Sequence, residues 1–335
     1  DGRQVGIQFW DFGGQEIFHS MHRMFLTERT LYVIVLNVRD DTQNDRAQYW
    51  LHELRNYVNS APVLLVLNKI DQNPDASVDK LQLKRIYSGL KDVIQVSGLK
   101  YSQDKFNTTF TGALLKQVRK LESLDALWPQ SWMMVKSRLQ NMDDCIVRGG
   151  VYRYLHDCCV AEQDWENLLG WINDLGMGFR YDIGRGMGNP LVLSPRWLIN
   201  AVYMILINGR GVAVNGIVTH DAIQGMFDPL EMRKKKTVRS VYSDFQYAIA
   251  DVYYILNILR NFGFSYRIEE YAEFIPALCQ RESKPVAEEY KERSDTLEFW
   301  MSFEYLPENL IHRLIVKMQQ DLDTGNVWRT GARFV

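Results

Sequence analysis

Five consecutive apolar residues, Val63–Leu67 (VLLVL), constrain this chain more than any other feature. A strand turns alternate residues to opposite faces, so a run that is apolar at every position is buried on both. Such strands lie in the middle of sheets covered on two sides, the usual state of a parallel sheet. Leu31–Val38 (LYVIVLNV) repeats the pattern upstream, and Val93–Val96 is a shorter third run. Between them, Gln43–Asn59 and Phe106–Leu121 carry apolar residues at helical spacing. Gln4–Trp10 alternates like a strand and runs into Asp11-Phe12-Gly13-Gly14-Gln15. Strands alternating with helices predict an α/β unit over residues 1–122, with a parallel sheet flanked by helices.

The texture then changes. Ser123–Gln130 reads as a linker because Pro129 interrupts helical continuity. A helix is expected over Ser131–Gln140. Beyond it one pattern occurs twice. Trp165–Leu175 is amphipathic and closes on Gly176, followed by Phe179-Arg180-Tyr181, a glycine-rich turn and Leu191-Val192-Leu193. Tyr253–Phe262 closes on Gly263, followed by Phe264–Ile268 and Glu273–Pro276. Helix, glycine, strand, turn and strand is a winged-helix-like order, and two copies suggest an internal repeat. Thr296–Val335 opens with an alternating strand (LEFWMSFEYLP), then a helix over Glu308–Gln320 and a short strand at Val327–Thr330.

Composition narrows the classes. At roughly 150 residues per domain, 335 residues predict two or three domains. With 46% hydrophobic and 24% charged residues the chain is globular rather than disordered. A net charge of −2 gives no general attraction to nucleic acid or anionic membranes. No apolar stretch approaches the roughly 20 residues of a membrane span. Cys145, Cys158, Cys159 and Cys279 form no CxxC pair, which fits a reducing, cytoplasmic setting.

Three constellations carry chemistry. In Asp11–Gln15 a strand delivers an aspartate suited to holding Mg2+ through water. Gly14 is small enough for its N–H to approach a γ-phosphate, and Gln15 can orient an attacking water. Asn68-Lys69-Ile70-Asp71 follows the VLLVL strand directly. The Asp71 carboxylate offers two acceptors side by side, matching the N1–H and 2-amino donors of guanine, a pair that adenine lacks. Asn68 can bond the purine N7 edge or brace neighbouring loops, and the Lys69 stem can lie along the ring. Ser97-Gly98-Leu99 follows the third strand, where a backbone N–H would meet the guanine O6.

The string WDFGGQEIFHSMHRMFL followed by NKID resembles the Roc domain of the Roco family, a Ras-like GTPase of the P-loop NTPase type. The block from Trp128, the helix–wing unit ending at Trp197 and the strand ending at Pro307 resemble its COR partner. The resemblance implies a Roc portion over 1–122, a linker over 123–130, COR-A with two winged-helix-like units over 131–290 and the start of COR-B over 291–335. It implies a GTP-binding, GTP-hydrolysing signalling switch with GTP/GDP and Mg2+ as cofactors. Asp11 and Gly14 would serve the metal and the γ-phosphate, and Gln15 the water. Asn68, Lys69 and Asp71 would read guanine, with Ser97 and Gly98 in the last loop, where the family usually has alanine after the serine. It further implies an intramolecular Roc–COR contact and a homodimer formed through a complete COR-B. No GxxxxGK[ST] phosphate loop occurs in the sequence. The expectation is therefore a Roc domain cut upstream of Asp1, rather than a degenerate one, and a COR-B cut downstream.

Other readings compete with these. A non-enzymatic interaction scaffold would lack a working phosphate site. Asp11-Phe12-Gly13 spells a kinase triad, but no HRD loop follows, so a kinase would have to lie elsewhere in a larger Roco protein. His19 and His22 could ligate a metal, with packing the simpler reading. The basic run Arg233–Lys236 with Arg239 reads as a solvated loop. Binding of nucleic acid is disfavoured because Trp165–Leu175 carries Glu166 and Asp174 and no Lys or Arg. The tryptophans at 128, 132, 165, 171 and 197 and the pair Cys158-Cys159 are expected to be buried.

Overall fold

The computed structural model describes residues 6–11, 21–39, 42–99, 103–121, 124–148, 150–181, 190–228, 245–280, 297, 299–303, 305–307 and 309–335. The chain divides into two compact units, one of Asp1–Asp143 with Tyr152–Phe179, the other of Asp144–Val151 with Arg180–Val335.

In the first unit β1 (Tyr32–Asn37), β2 (Val63–Asn68) and β3 (Leu90–Val96) form a parallel sheet in that order. The two-faced apolar run is the central strand. Val63, Leu65 and Leu67 join a core with Leu51 and Leu54 of α1 (Gln43–Tyr57) and Leu83 of α2 (Lys80–Ile86). Leu64 and Val66 face the other way, onto Ile94, Val96, Phe106 and Phe110. Asp79 caps α2 by accepting from the Leu81 and Gln82 amides. A helical stretch after β3 contains a π turn at Asn107–Thr111 before α3 (Gly112–Val118).

The linker is anchored by Trp128, which sits edge-on to Trp132 and Trp171. Trp132, Val135 and Leu139 form the buried stripe of α4 (Gln130–Gln140). After α5 (Val151–Asp157), α6 (Trp165–Asp174) buries Leu168, Leu169 and Ile172. It ends as a Schellman cap: Gly176 stands at φ +65°, its N–H bonds the Asn173 carbonyl at 3.0 Å, and the Met177 N–H bonds that of Ile172 at 2.9 Å.

In the second unit β4 (Ile146–Val147) and β6 (Leu191–Val192) pair antiparallel, with β5 (Phe179–Arg180) between them in sequence. Ser194 caps α7 (Pro195–Gly209), which buries Trp197. Thr219 caps α8 (His220–Met226), and α9 (Ile249–Asn261) closes on Gly263 at φ +68°. A sheet in the order β7-β9-β8 comprises β7 (Ile217–Thr219), β8 (Tyr266–Glu269) and β9 (Ala272–Phe274). Fully buried Glu273 accepts from Arg260 Nε at 3.0 Å and Nη2 at 2.7 Å, with His220 Nε2 at 3.1 Å. The unit ends in α10 (Leu310–Lys317) and the hairpin of β10 (Leu322–Trp328) and β11 (Gly331–Phe334). The helix–glycine–strand–strand order therefore occurs twice, as α6–Gly176–β5–β6 and α9–Gly263–β8–β9.

Four expectations change. Gly6–Trp10 is not a strand; its Trp10 ring is committed to side-chain packing instead. Among the described residues β1 is hydrogen-bonded only to β2, so it is an edge and Val35 is 57% exposed. The alternating residues around Phe299 and Trp300 form no strand and lie exposed, because an apolar face needs a second surface to bury it. Cys158 is buried but Cys159 is exposed. The Arg233–Lys236 run, Arg239 and His19 fall outside the described residues.

Candidate functional site

The in-register pairing of β2 and β3 sets Asn68 opposite Val96. The two following loops therefore leave the same end of the sheet, the carboxyl end, where open α/β sheets gather ligands. Lys69 turns the chain at φ +68°, a left-handed conformation that costs a non-glycine residue about 1–2 kcal/mol. Three bonds hold it there. Asn68 Oδ1 accepts from the Lys69 amide at 2.8 Å, the Ile70 amide bonds the Val96 carbonyl at 3.2 Å, and the Gln72 amide bonds the Lys69 carbonyl at 2.9 Å.

The two loops are tied by side chains. Asn68 Oδ1 also accepts from the Gly98 amide at 3.3 Å. Buried Ser97 donates its hydroxyl proton to Asp71 Oδ1 and accepts from the Leu99 amide at 3.4 Å. Asn68, Lys69, Asp71, Ser97 and Gly98 thus form one cluster, with the half-buried Asp71 carboxylate fixed through one oxygen. Among the described residues a Cβ at Gly98 would meet only Asn68 Oδ1, at 3.8 Å, which leaves room there for the alanine usual in the family.

A second ring of contacts was not foreseen from the sequence. Asn73 Nδ2 donates to the Val38 carbonyl at 3.0 Å, Gln95 Nε2 to the Ala76 carbonyl at 2.8 Å, and Arg39 Nε to Gln72. The turn-forming string Asp71-Gln72-Asn73-Pro74 was the available signal.

Asp11 is exposed at the end of the coil Gly6–Asp11, while Gly14 and Gln15 lie outside the described residues. Trp10, just before Asp11, has its ring 4.8 Å from Phe179 and 6.0 Å from Phe25. Further along, Arg29 pairs with Asp174 and lies 4.3 Å over the Trp171 ring. Among the described residues no group of three or more His, Cys, Asp or Glu side chains could hold a metal. The His22 ring stacks on Trp50 at 5.6 Å.

Two family models match in sequence order. Roc, described as the Ras of Complex domain of DAPkinase, covers residues 1–71, and COR-A, the C-terminal of Roc domain, covers 129–282. A solved structure of Methanosarcina barkeri Roco2 RocCORdC bound to GDP is similar over 81% of this chain and 79% of that one, at 29% identity and TM-score 0.64. The chain belongs to the Roco family. Among curated relatives of this Roco chain, the probable serine/threonine-protein kinase pats1 of Dictyostelium discoideum is 22% identical over 68% of the chain and 7% of that protein. The Roc-COR-CHAT protease of Runella zeae is 20% identical over 97% of the chain and 34% of that protein. The chain thus spans less than a tenth of the first relative's length and about a third of the second's. The Roc match ends at Asp71, so Ser97 and Gly98 rest on geometry and motif order.

Proposed function

We propose that this Roco chain is the base-reading and reporting portion of a GTP-binding, GTP-hydrolysing signalling switch, working in the cytoplasm. The observation that carries the reading is the Ser97–Asp71 hydrogen bond beside the Asn68 bridge to Lys69 and Gly98. Ser97 holds one carboxylate oxygen and so fixes the plane of the other. With Asn68 Oδ1 spent on two amides, its Nδ2 is the end left to donate to a purine N7. The left-handed turn at Lys69 brings Asp71 back beside Ser97. These residues fit a guanine ring, and the similarity to a GDP-bound Roco structure agrees. Bound Mg2+ would neutralise phosphate charge, and exposed Asp11 is the residue that would hold it through water. Gly14 would meet the γ-phosphate and Gln15 would orient the attacking water. The COR-A module would read the switch state. The named relatives are a probable kinase and a Roc-COR-CHAT protease, each far longer than this chain, which suits a control element.

The test exchanges one acceptor for a donor. In Asp71→Asn the amide meets xanthine, which has a carbonyl where guanine has the 2-amino group. Competition against fluorescent GDP should show guanine affinity falling about 100-fold or more while XTP gains. Selectivity for guanine that survives Asp71→Asn would sink the proposal. So would absence of guanine-nucleotide binding by both this chain and a version extended upstream.

A further inference from the structure

We propose that the β3 edge of the Roc sheet, with α2 on one side of it and α3 on the other, docks the chain on an anionic lipid surface.

The whole-chain charge of −2 conceals a strong local imbalance. Residues 80–121 hold nine Lys and Arg against two Asp, a net +7, so the rest of the chain carries −9. A block of this kind sets up a local field that the average hides.

The fold brings the block to one border. Leu83 of α2 packs into the core on one face of the sheet, and Ala113 of α3 into the core on the other. Between the helices runs β3, which among the described residues is hydrogen-bonded only to β2. Lys80 Nζ, at the start of α2, pairs with Asp92 of β3 at 2.7 Å. Burial pushes the Asp92 carboxyl up, but the Lys80 and Val93 hydrogen bonds and the charges of Lys80 and Lys116 hold it below the ordinary carboxylate range. One carboxylate thus feels a cation from each helix, which places both helices at this edge. Asp92 is spent on Lys80. Lys84, Arg85, Lys91, Lys116, Arg119 and Lys120 are exposed, and none of them forms an ion pair among the described residues.

Two leucines stand in this basic border. Leu81 is 75% exposed and shares a helix face with Lys84 and Arg85. Leu115 is 38% exposed, and Arg119 follows one turn later. Exposed leucine among Lys and Arg suits a membrane interface, where the cations meet lipid phosphate and the leucine enters the acyl boundary. Nucleic acid would use the charge and leave the leucines idle. Stacking on bases needs aromatic rings, and Tyr87, Phe106 and Phe110 pack into the two cores. Addition of a peptide strand is opposed by Lys91 and Asp92, charges on the edge strand itself. Asp92 lies near the amino end of β3, roughly 16 Å along the strand from Ser97. A membrane at this border therefore leaves the loops at the carboxyl end open.

Co-sedimentation of the whole chain with lipid vesicles tests the proposal. Phosphatidylcholine vesicles containing about one-third phosphatidylglycerol should bind it, and phosphatidylcholine alone should bind at least about tenfold more weakly. Anionic binding should fall about tenfold or more between roughly 50 and 300 mM salt. Lys84→Gln with Lys116→Gln, one exposed charge from each helix, should weaken it about 30-fold. Arg85→Gln with Arg119→Gln is a second, independent pair and should do about the same. Leu81→Ser should weaken binding several-fold and leave the salt dependence unchanged. Lys234→Gln with Lys235→Gln and Lys236→Gln, in the other basic run, should change binding less than about twofold. Equal binding to both vesicle types, which exposed Phe299 and Trp300 alone would give, overturns the proposal. Loss of binding only in the 234–236 variant overturns it as well. So does failure to bind anionic vesicles, and capture of the chain by duplex DNA or polyglutamate in that case would assign the border to a polyanion instead.

Discussion

Lys69 and Cys159 both stand at positive φ without being glycine, for different reasons. Lys69 is held by the bonds that shape the Asp71 loop. Cys159 occupies the glycine position of a Schellman cap on α5, with its amide on the His156 carbonyl at 2.9 Å and the Val160 amide on that of Leu155 at 3.1 Å. That position projects its side chain outward, which is why the expectation of a buried Cys158-Cys159 pair fails at the second cysteine. A measurable consequence follows. The thiolate is the reactive form, and burial pushes the Cys279 thiol up to about 11 while also raising Cys145. At pH 8 only about one Cys279 in a thousand is ionised, and Cys158 is sterically shut. Alkylation of the native chain followed by peptide mass spectrometry should label Cys159 first, and Cys159→Ser should remove the fast phase. Equal labelling of Cys158 or Cys279 would contradict the assignment. The Asn68–Asp71 motif was legible because its chemistry is contiguous in sequence and follows a strand. The Arg29–Asp174 pair was not, because 145 residues separate its members and neither belongs to a motif.

The elements were most legible where glycine punctuates a periodic run. The helices ending at Gly176 and Gly263 both appear, with Schellman caps that share one geometry: the Phe264 amide bonds the Leu259 carbonyl at 2.8 Å just as Met177 bonds Ile172 at 2.9 Å. The two glycines differ in their surroundings. A Cβ at Gly263 would meet nothing within 4 Å, whereas one at Gly176 would press on the Trp10 ring. Gly263→Ala should therefore carry only the left-handed strain, about 1 kcal/mol. Gly176→Ala should lose at least about 1 kcal/mol more, since overpacking a rigid ring adds to the strain. Calorimetry of the two variants, which resolves separate transitions, checks the ranking; equal losses would mean that the indole yields without cost. Edge and centre were less legible. Leu31–Val38 and Val63–Leu67 read alike, yet among the described residues β1 is an edge and β2 the centre. Position in a sheet is decided by which segments pair, and composition records only how apolar each one is.

Across the whole molecule, stability comes from separate cores, and what those cores leave uncovered is informative. Leu297, Phe299, Trp300 and Met301 are each more than four-fifths exposed. Their alternation encodes a strand face, but a strand also needs a hydrogen-bonded neighbour and a surface to cover it, and these residues have no strand assignment. The net charge of −2 supplies little repulsion between copies. Contiguous apolar exposure of this kind drives association, because burying each such side chain is worth about 1.5–3 kcal/mol. Sedimentation velocity over a concentration series should show reversible self-association of this chain. Phe299→Ser with Trp300→Ser should weaken it strongly while the far-ultraviolet circular dichroism stays unchanged, since neither residue belongs to a folded core. If the double variant associates as the parent does, the contact lies elsewhere, and the side of β1 that pairs with no strand among the described residues, where Val35 is exposed, becomes the surface to alter next.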